Sequence, residues 1–395
     1  MKLLVIGAGM MGTAAAYDMA RNSSVVAVTI ADSDKKRAKE SAERVNRLSK
    51  RKITGAVELD ASEQKKAARL MGDHHATLSA VPYFYNAGLA KAAIDARCHF
   101  ADLGGNNTVV RAELAMSKQA EKRGVAIAPD CGLSPGMASI LAGELMRRIG
   151  GTAEALKIYV GGLPIEPRSP FQYQLVFSVE GLINEYAEPA KILRNGRVTT
   201  IEPLSEVETF RMRDFPPLEA FHTSGGTSTL PETFAGKVGE CFEKTLRYRG
   251  TLPYIKALYD FGFFSKEKMK IGKAEFSPRD VTARLMFSKL AGNQADVTVL
   301  RVEAHEKQSR GLRALMTTKR DPRVLAFSLI DRFDTKTGMT SMMRTTAWPA
   351  SVVVQMLASG EIAKRGGIRQ ELDVPAEAFL GAMKARGIEI NYEER

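Results

Sequence analysis

The 395-residue chain contains three cysteines, one tryptophan and five histidines, and these shortages narrow the functions open to it. Cys98, Cys131 and Cys241 are far apart and form no metal-type pair, which argues against a zinc module and against a disulfide scaffold. His74 and His75 are adjacent, but no third ligand follows at a recognisable spacing, so they read as a solvated loop and no metal is expected. No apolar run approaches the roughly 20 residues that cross a bilayer. The N-terminal MKLLVIGAGMMG is interrupted by glycines and followed by a second strand pattern, so it reads as a first strand rather than a signal peptide. A cytoplasmic protein with no membrane partner is expected. Acids are also in short supply, 45 against 57 lysines and arginines, for a formal charge of +12. The bases nevertheless interleave with acids, as in residues 32–52, which reads as the exposed face of a helix. No aromatic–basic alternation or helix-turn-helix pattern accompanies them, so no nucleic-acid partner is expected. The surplus favours anionic ligands and solubility.

What is present begins at the N-terminus. KLLVIGAGMMGTAAAYDMA (2–20) is a β run, then G-x-G-x-x-G at Gly7, Gly9 and Gly12, then an alanine-rich helix. The first glycine makes a tight turn, the second lets the backbone approach a pyrophosphate, and the third lets helix and strand pack closely. Met10 and Met11, between the last two glycines, join the expected cofactor contacts at the helix N-terminus, where free amides favour phosphate. A second strand, VVAVTIAD (25–32), ends in Asp32, a carboxylate placed to accept from both ribose hydroxyls and to repel a 2′-phosphate. NAD is therefore the expected cofactor, a preference that Lys35, Lys36 and Arg37 would soften.

The β/α alternation continues through ATLSAVP (76–82), CHFADLGG (98–105) and GVAIAPDCGLSPG (124–136). Ligands of such sheets gather beyond the carboxyl ends of the strands. Ser79, Ala80, Pro82, Asp102, Leu103, Gly104 and Gly132 fall there as cofactor contacts, with Asp130 beside them. Helix capping or an Asx turn is the plainer reading of Asp102 and Asp130. Past residue 155 the period changes. Residues 155–164, 175–186, 283–306 and 325–342 show β-like runs without regular crossover helices, and TTAWPASVVVQMLASGEI (345–362) returns to helix. The expected architecture is an α/β Rossmann domain (1–134, completed by 345–395) with an inserted α+β domain (135–344) built on a mixed or antiparallel sheet.

GAGMMG, SAVPYFYN (79–86), ADLGGN (101–106), APDCGLSPGMASILAG (128–143), GGLP (161–164) and RTTAWPASVVVQMLASGEI together resemble the saccharopine dehydrogenase family over essentially the whole chain. EAFHTSGGTSTLPETFAGKV (219–238) and KTLRYRG (244–250) are similar to its lysine 6-dehydrogenase branch. Ser134 stands where relatives acting on saccharopine often carry an acid. The resemblance implies NAD-dependent oxidation of the ε-amine of L-lysine to 2-aminoadipate 6-semialdehyde, which cyclises, by at least a homodimer. It leaves room for a saccharopine reductase-like or carboxynorspermidine dehydrogenase-like activity using extra cations such as Arg168, Arg211 or Arg213. A non-catalytic NAD-binding regulator is the reading from another class.

Such chemistry needs a neutral amine, and neutralising a lysine ammonium at pH 7 costs about 4–5 kcal/mol. Asp102 and Asp130 are the expected proton-transfer carboxylates, with Tyr83 lining the same pocket. The substrate carboxylate needs a fixed cation, and Lys244, Arg247 and Arg249 are the candidates. Thr223, Ser224 and Gly225 of FHTSGGTSTL are the expected substrate cradle, with His222 beside them; a plain turn is the alternative.

Overall fold

A computed structural model describes residues 1–213, 215–292, 295–307 and 321–395. The chain divides into two compact units. The first comprises residues 1–144, 334–339 and 343–390, and the second residues 145–333, 340–342 and 391–395.

The first unit is built on a parallel sheet of β1 (Lys2–Ile6), β2 (Ala27–Asp32), β3 (Thr54–Glu58), β4 (Ala76–Ser79), β5 (His99–Asp102), β6 (Ala126–Ala128) and β17 (Gly366–Gly367). Its order, β17-β6-β5-β4-β1-β2-β3, reverses direction between β1 and β4, the crevice where such sheets bind dinucleotides. The strands read as continuous apolar runs because helices cover them, and Leu4, Ile6, Phe100 and Ile127 are fully or almost fully buried. Each such side chain contributes about 1.5–3 kcal/mol on leaving water. The helix Ser341–Ser359 and the helix Ala376–Ala385 lie mostly in this unit, tied down by Asp18, which accepts from Gln355 Nε2 at 3.2 Å and Arg386 Nε at 2.7 Å.

The second unit holds a mixed sheet. Its strands are β7 (Ala153–Pro164), β8 (Ala190–Arg194), β9 (Arg197–Ile201), β10 (Glu208–Phe210), β11 (Leu218–His222), β12 (Val238–Tyr248), β15 (Asp296–His305), β16 (Val324–Arg332) and β18 (Asn391–Glu394), with β13 (Met269–Ile271) and β14 (Ala274–Phe276) forming a separate hairpin. The order is β10-β11-β12-β7-β15-β16-β18, with β8 and β9 branching from β12; β12 and β7 run parallel and the other pairs antiparallel. In β12, Phe242, Leu246 and Tyr248 join the apolar cluster around Tyr159, Leu163 and Leu218. The period of two therefore sends Glu243, Thr245 and Arg247 to the opposite face.

The sheet arrangement matches the expected class, and residues 296–305 of the run 283–306 are the strand β15, but most of the run 175–186 and the first part of 283–306 are helical. Residues 179–187 place Leu182, Ile183 and Tyr186 on one buried face, a helical spacing. Residues 278–290 follow Ser277, whose hydroxyl accepts from Asp280 N at 3.1 Å, with Pro278 in the first turn, a helix start signal. Asn293 and Gln294 of the same run lie outside the described residues. The second half of 325–342 also starts a helix. Its cap is remote in sequence, since Asp296 accepts from Ser341 N at 2.6 Å and Met342 N at 2.9 Å. Residues 391–395 leave the first unit altogether, because β18 pairs with β16.

Candidate active site

The glycine motif forms a dinucleotide cradle. Gly7 has φ +107°, and a Cβ on it would lie 2.6 Å from the Ala80 carbonyl oxygen, so β1 and β4 meet closely at the switch point. A Cβ on Gly12 would lie 1.8 Å from the Gly7 carbonyl oxygen, whereas one on Gly9 would meet nothing within 4 Å. The first and third glycines are thus packed against protein, and the second faces open space where a pyrophosphate fits. The helix Met10–Arg21 begins there without a side-chain cap, leaving its first amides to an anion. Met10 is exposed and Met11 half-buried at the rim.

Asp32 has more partners than the sequence suggests. Its Oδ2 accepts from Ala8 N at 2.7 Å, and its Oδ1 accepts from Asp34 N at 2.9 Å and Arg37 Nη2 at 2.6 Å. Burial works to raise its pKa, but the hydrogen bonds from Arg37, Asp34 and Ala8 outweigh it and hold the carboxyl below its ordinary value. Arg37 is over half exposed, so a cation stands beside the carboxylate where the adenosine ribose of a dinucleotide belongs.

The remaining first-unit candidates lie at and beyond the strand ends. The Ser79 hydroxyl donates to Asn86 Oδ1 at 2.7 Å and is buried, while Ala80 and Pro82 border the cradle. Gly132 is buried, and a Cβ on it would lie 3.4 Å from the Thr346 methyl, so it packs against protein. Leu103 and Gly104 lie half-buried on the loop after β5, and Tyr83 approaches that loop at Gly105. Asp102 Oδ1 accepts from Gly104 N at 2.6 Å and Asp130 N at 3.2 Å, holding two strand ends together. Its pKa is raised, chiefly by burial. Among the described residues its second oxygen has no hydrogen-bond partner, and neither has the carboxyl of the buried Glu113, which sequence reading missed. Burial, then the nearby charge of Asp102, push Glu113 up to about 11, so it is neutral. Asp130 is buried with φ +59°, and its Oδ1 points at Gly104, where a Cβ would lie only 1.8 Å away. A non-glycine residue held in the left-handed region beside a strand end is a strained position of the kind found at working sites.

The second-unit candidates split across β12. Lys244 donates to the Glu206 carbonyl at 2.7 Å and to Glu208 Oε1 at 2.9 Å, on the face opposite Arg247. Arg249 is exposed and reaches Thr209 Oγ1 at 3.1 Å. Arg247 is buried. Its Nε donates to Tyr186 Oη at 2.9 Å, its Nη1 to the Leu246 carbonyl at 2.9 Å, and its Nη2 stands 4.0 Å from Glu185 Oε2. Burial opposes its charge, but Tyr186, Tyr173 and Glu185 hold its pKa above the ordinary value. Thr223 Oγ1 lies 2.7 Å from Thr245 Oγ1 and 3.2 Å from Glu243 Oε2, so the hydroxyl-rich loop closes onto β12. Ser224 N donates to the Glu185 carbonyl at 3.0 Å, and Gly225 takes φ +98° in the turn. His222 is turned toward Glu206, 3.2 Å from its Nε2, and burial lowers its pKa. Burial pushes Glu185 up to about 7, and burial with the Glu185 charge pushes Glu243 up to about 8. Glu185, Glu243 and Tyr173 were not foreseen. The alternation Glu243–Thr245–Arg247 within CFEKTLRYRG was the available signal.

Among the described residues no group of acids, histidines and cysteines is arranged to hold a metal. No helix among them is long and apolar enough to cross a membrane. The family model described as saccharopine dehydrogenase C-terminal domain matches residues 132–388, and the saccharopine dehydrogenase NADP binding domain matches residues 3–128. The chain belongs to the saccharopine dehydrogenase family. It is similar to the saccharopine dehydrogenase (NADP(+), L-glutamate-forming) of Pyricularia oryzae, with 24% identity over 64% of this chain and 58% of that protein. It is also similar to the mitochondrial alpha-aminoadipic semialdehyde synthase of Mus musculus, with 22% identity over 99% of this chain and 48% of that protein. The chain thus spans about half the length of the curated relatives it matches. The solved structure of apo histidine-tagged saccharopine dehydrogenase (L-Glu forming) from Saccharomyces cerevisiae shares the fold at TM-score 0.78 and 17% identity, covering 100% of this chain and 99% of that one.

Proposed function

We infer that the protein is an NAD-dependent amine dehydrogenase oxidising the ε-amine of L-lysine to 2-aminoadipate 6-semialdehyde. One observation carries the choice of substrate. Glu185 and Glu243 surround a single guanidinium that is already committed to Tyr186 and a backbone carbonyl. An acid-rich enclosure suits lysine, with two ammonium groups and one carboxylate. It disfavours saccharopine, whose additional carboxylates need additional cations. The saccharopine reading draws its support from the relatives' names.

The residues of the first unit suit the chemistry. A dinucleotide held by the cradle of Gly7, Gly9 and Gly12 would supply the hydride acceptor for the carbon bearing the amine. Asp130 takes the ammonium proton beforehand, so that the nitrogen lone pair is free to form the C=N bond. The imine then adds water and releases ammonia, a second use for a nearby proton acceptor. Asp102 is better suited to fixing the loop, since its Oδ1 accepts from both Gly104 N and Asp130 N. The test is direct: purified protein, NAD or NADP, and a panel of L-lysine, saccharopine and carboxynorspermidine, followed by reduced-nicotinamide absorbance. Reduction with lysine is expected; reduction with saccharopine alone overturns the reading.

Cofactor choice is decided at Asp32 and Arg37. With NAD the ribose hydroxyls add to the donors on Asp32, whereas with NADP the phosphate needs Arg37 and faces a carboxylate. Arg37→Ala is expected to lower kcat/KM with NADP about tenfold while leaving NAD within a few-fold, as for a partly exposed charge contact. Asp32→Ser is expected to move the ratio the other way. Equal effects on both nucleotides would remove the pair from cofactor selection. A homo-oligomer is the proposed assembly, supported by exposed Phe261, Ile271, Leu285 and Phe287 on the second unit.

A further inference from the structure

Glu243, Glu185, Arg247, Tyr173 and Tyr186 enclose one recess of the second unit, and its hydrogen bonding is incomplete. Each Glu243 oxygen accepts one threonine hydroxyl at 3.2 Å, from Thr223 to Oε2 and from Thr245 to Oε1. Those contacts are long for a carboxylate, whose hydroxyl donors usually approach to about 2.5–2.7 Å. The Glu185 carboxylate makes no hydrogen bond among the described residues, and its nearest cationic nitrogen is the Arg247 Nη2 at 4.0 Å. The Tyr173 hydroxyl is buried with no partner, and its ring centre lies 4.6 Å from the Arg247 guanidinium carbon. Such an unmet hydroxyl is unfavourable unless a ligand satisfies it. Protein atoms crowd Glu185, yet 31% of its side-chain surface is open, which gives the recess a mouth. Gly226 completes the wall, because a Cβ there would lie 2.7 Å from Glu243 Oε2.

Building on the amino-acid substrate argued above, we propose that this recess binds the α-amino-acid end of the substrate, with Glu243 and Glu185 receiving its ammonium and Arg247 with Tyr173 facing its carboxylate. An ammonium has three donors, matching the lone pairs that the two glutamates leave unused. Charge assigns the end. Two carboxylates stabilise a protonated amine, which has no lone pair to assist hydride departure. The recess therefore holds the nitrogen that does not react. A bound cation also relieves the repulsion between the two glutamates. The Thr223–Ser224–Gly225–Gly226 turn acquires a specific task, which is to hold a hydroxyl and a small backbone against Glu243.

The experiment uses equilibrium binding, so it does not depend on turnover. Calorimetry on the full chain with NAD compares L-lysine with 6-aminohexanoate, which keeps the ε-amine and the carboxylate but lacks the α-ammonium. Wild-type protein is expected to bind lysine about 100-fold more tightly, the scale of a desolvated charge pair. Glu243→Gln keeps the size of the side chain and removes its charge. It is expected to abolish most of that preference by weakening lysine, with 6-aminohexanoate within about threefold of its wild-type affinity. Glu185→Gln serves as the second variant, with the same direction and a smaller loss. Equal binding of the two ligands by wild-type protein, or an undiminished preference in both variants, overturns the proposal. A separate outcome tests the proposed activity. If wild-type protein turns over saccharopine and not lysine, the lysine reading falls, but saccharopine carries the same α-ammonium and the Glu243→Gln comparison is run on it.

Discussion

Arg247→Met is expected to cost about 3–5 kcal/mol of folding stability at pH 8, the usual result of leaving buried carboxylates without their cation. Before any effect on substrate affinity, the Arg247 guanidinium is bonded to Tyr186 and set 4.0 Å from Glu185, and it is itself buried. The defect should depend on pH with a definite sign. Burial raises Glu185 to about 7, and burial with the Glu185 charge raises Glu243 to about 8 in the folded protein, against 4.5 for an ordinary glutamate. Raised acids bind more protons folded than unfolded. Their stabilising contribution is fully present below the unfolded pKa and is lost as pH rises through the folded values. Removing Arg247 moves those values further up, so the carboxyls stay neutral at pH 6 and the variant recovers most of its deficit there. At pH 9 the deficit is largest. Urea melts at pH 6, 8 and 9 measure it. Adding Glu185→Gln to Arg247→Met should restore part of the loss at pH 8, because the two sites are coupled. A pH-independent deficit would mean that lost packing around Tyr173 and Tyr186, rather than charge, is responsible.

This prediction differs in kind from what KTLRYRG suggests in one dimension. Three cations within six residues look interchangeable, yet the strand period sends Arg247 inward and Lys244 to the other face, while Arg249 lies past the end of β12 and is exposed. The nucleotide-binding half was legible because its signals are local: glycines at fixed offsets, a short strand before them and a helix after them. The β1–β4 switch point follows from that order. The second unit was legible as a class but less so in detail. The helix Pro278–Leu290 announced itself through Ser277 and Pro278, while the helix Ser341–Ser359 is capped by Asp296, forty-five residues upstream of its first hydrogen-bonded amide. A cap supplied across the fold leaves no mark in a local window. Glu113 and Glu185 were hidden for the same reason. Each is an ordinary helical glutamate in sequence, and only tertiary packing makes one neutral against Asp102 and sets the other beside Arg247.

Asp130 is where the largest catalytic effect is expected. It is buried, its carboxylate points at the loop after β5, and its backbone is held at φ +59° with the amide donated to Asp102. Asp102 is the rival proton acceptor, but its Oδ1 accepts from both Gly104 N and Asp130 N and so ties two strand ends together. Its replacement should loosen both strand ends together. Asp130→Asn preserves volume, and asparagine tolerates the left-handed backbone, so the fold should survive. Loss of the proton acceptor is expected to lower kcat for lysine oxidation by about 10²–10⁴. The Kd for NAD, measured separately by fluorescence or calorimetry, should stay near wild type, because the cradle of Gly7, Gly9 and Gly12 is untouched. Asp102→Asn should instead lower the melting temperature and weaken kcat and nucleotide binding together. If Asp130→Asn turns over lysine within a few-fold of wild type, or loses NAD affinity in parallel with kcat, Asp130 holds the loop and another group moves the proton.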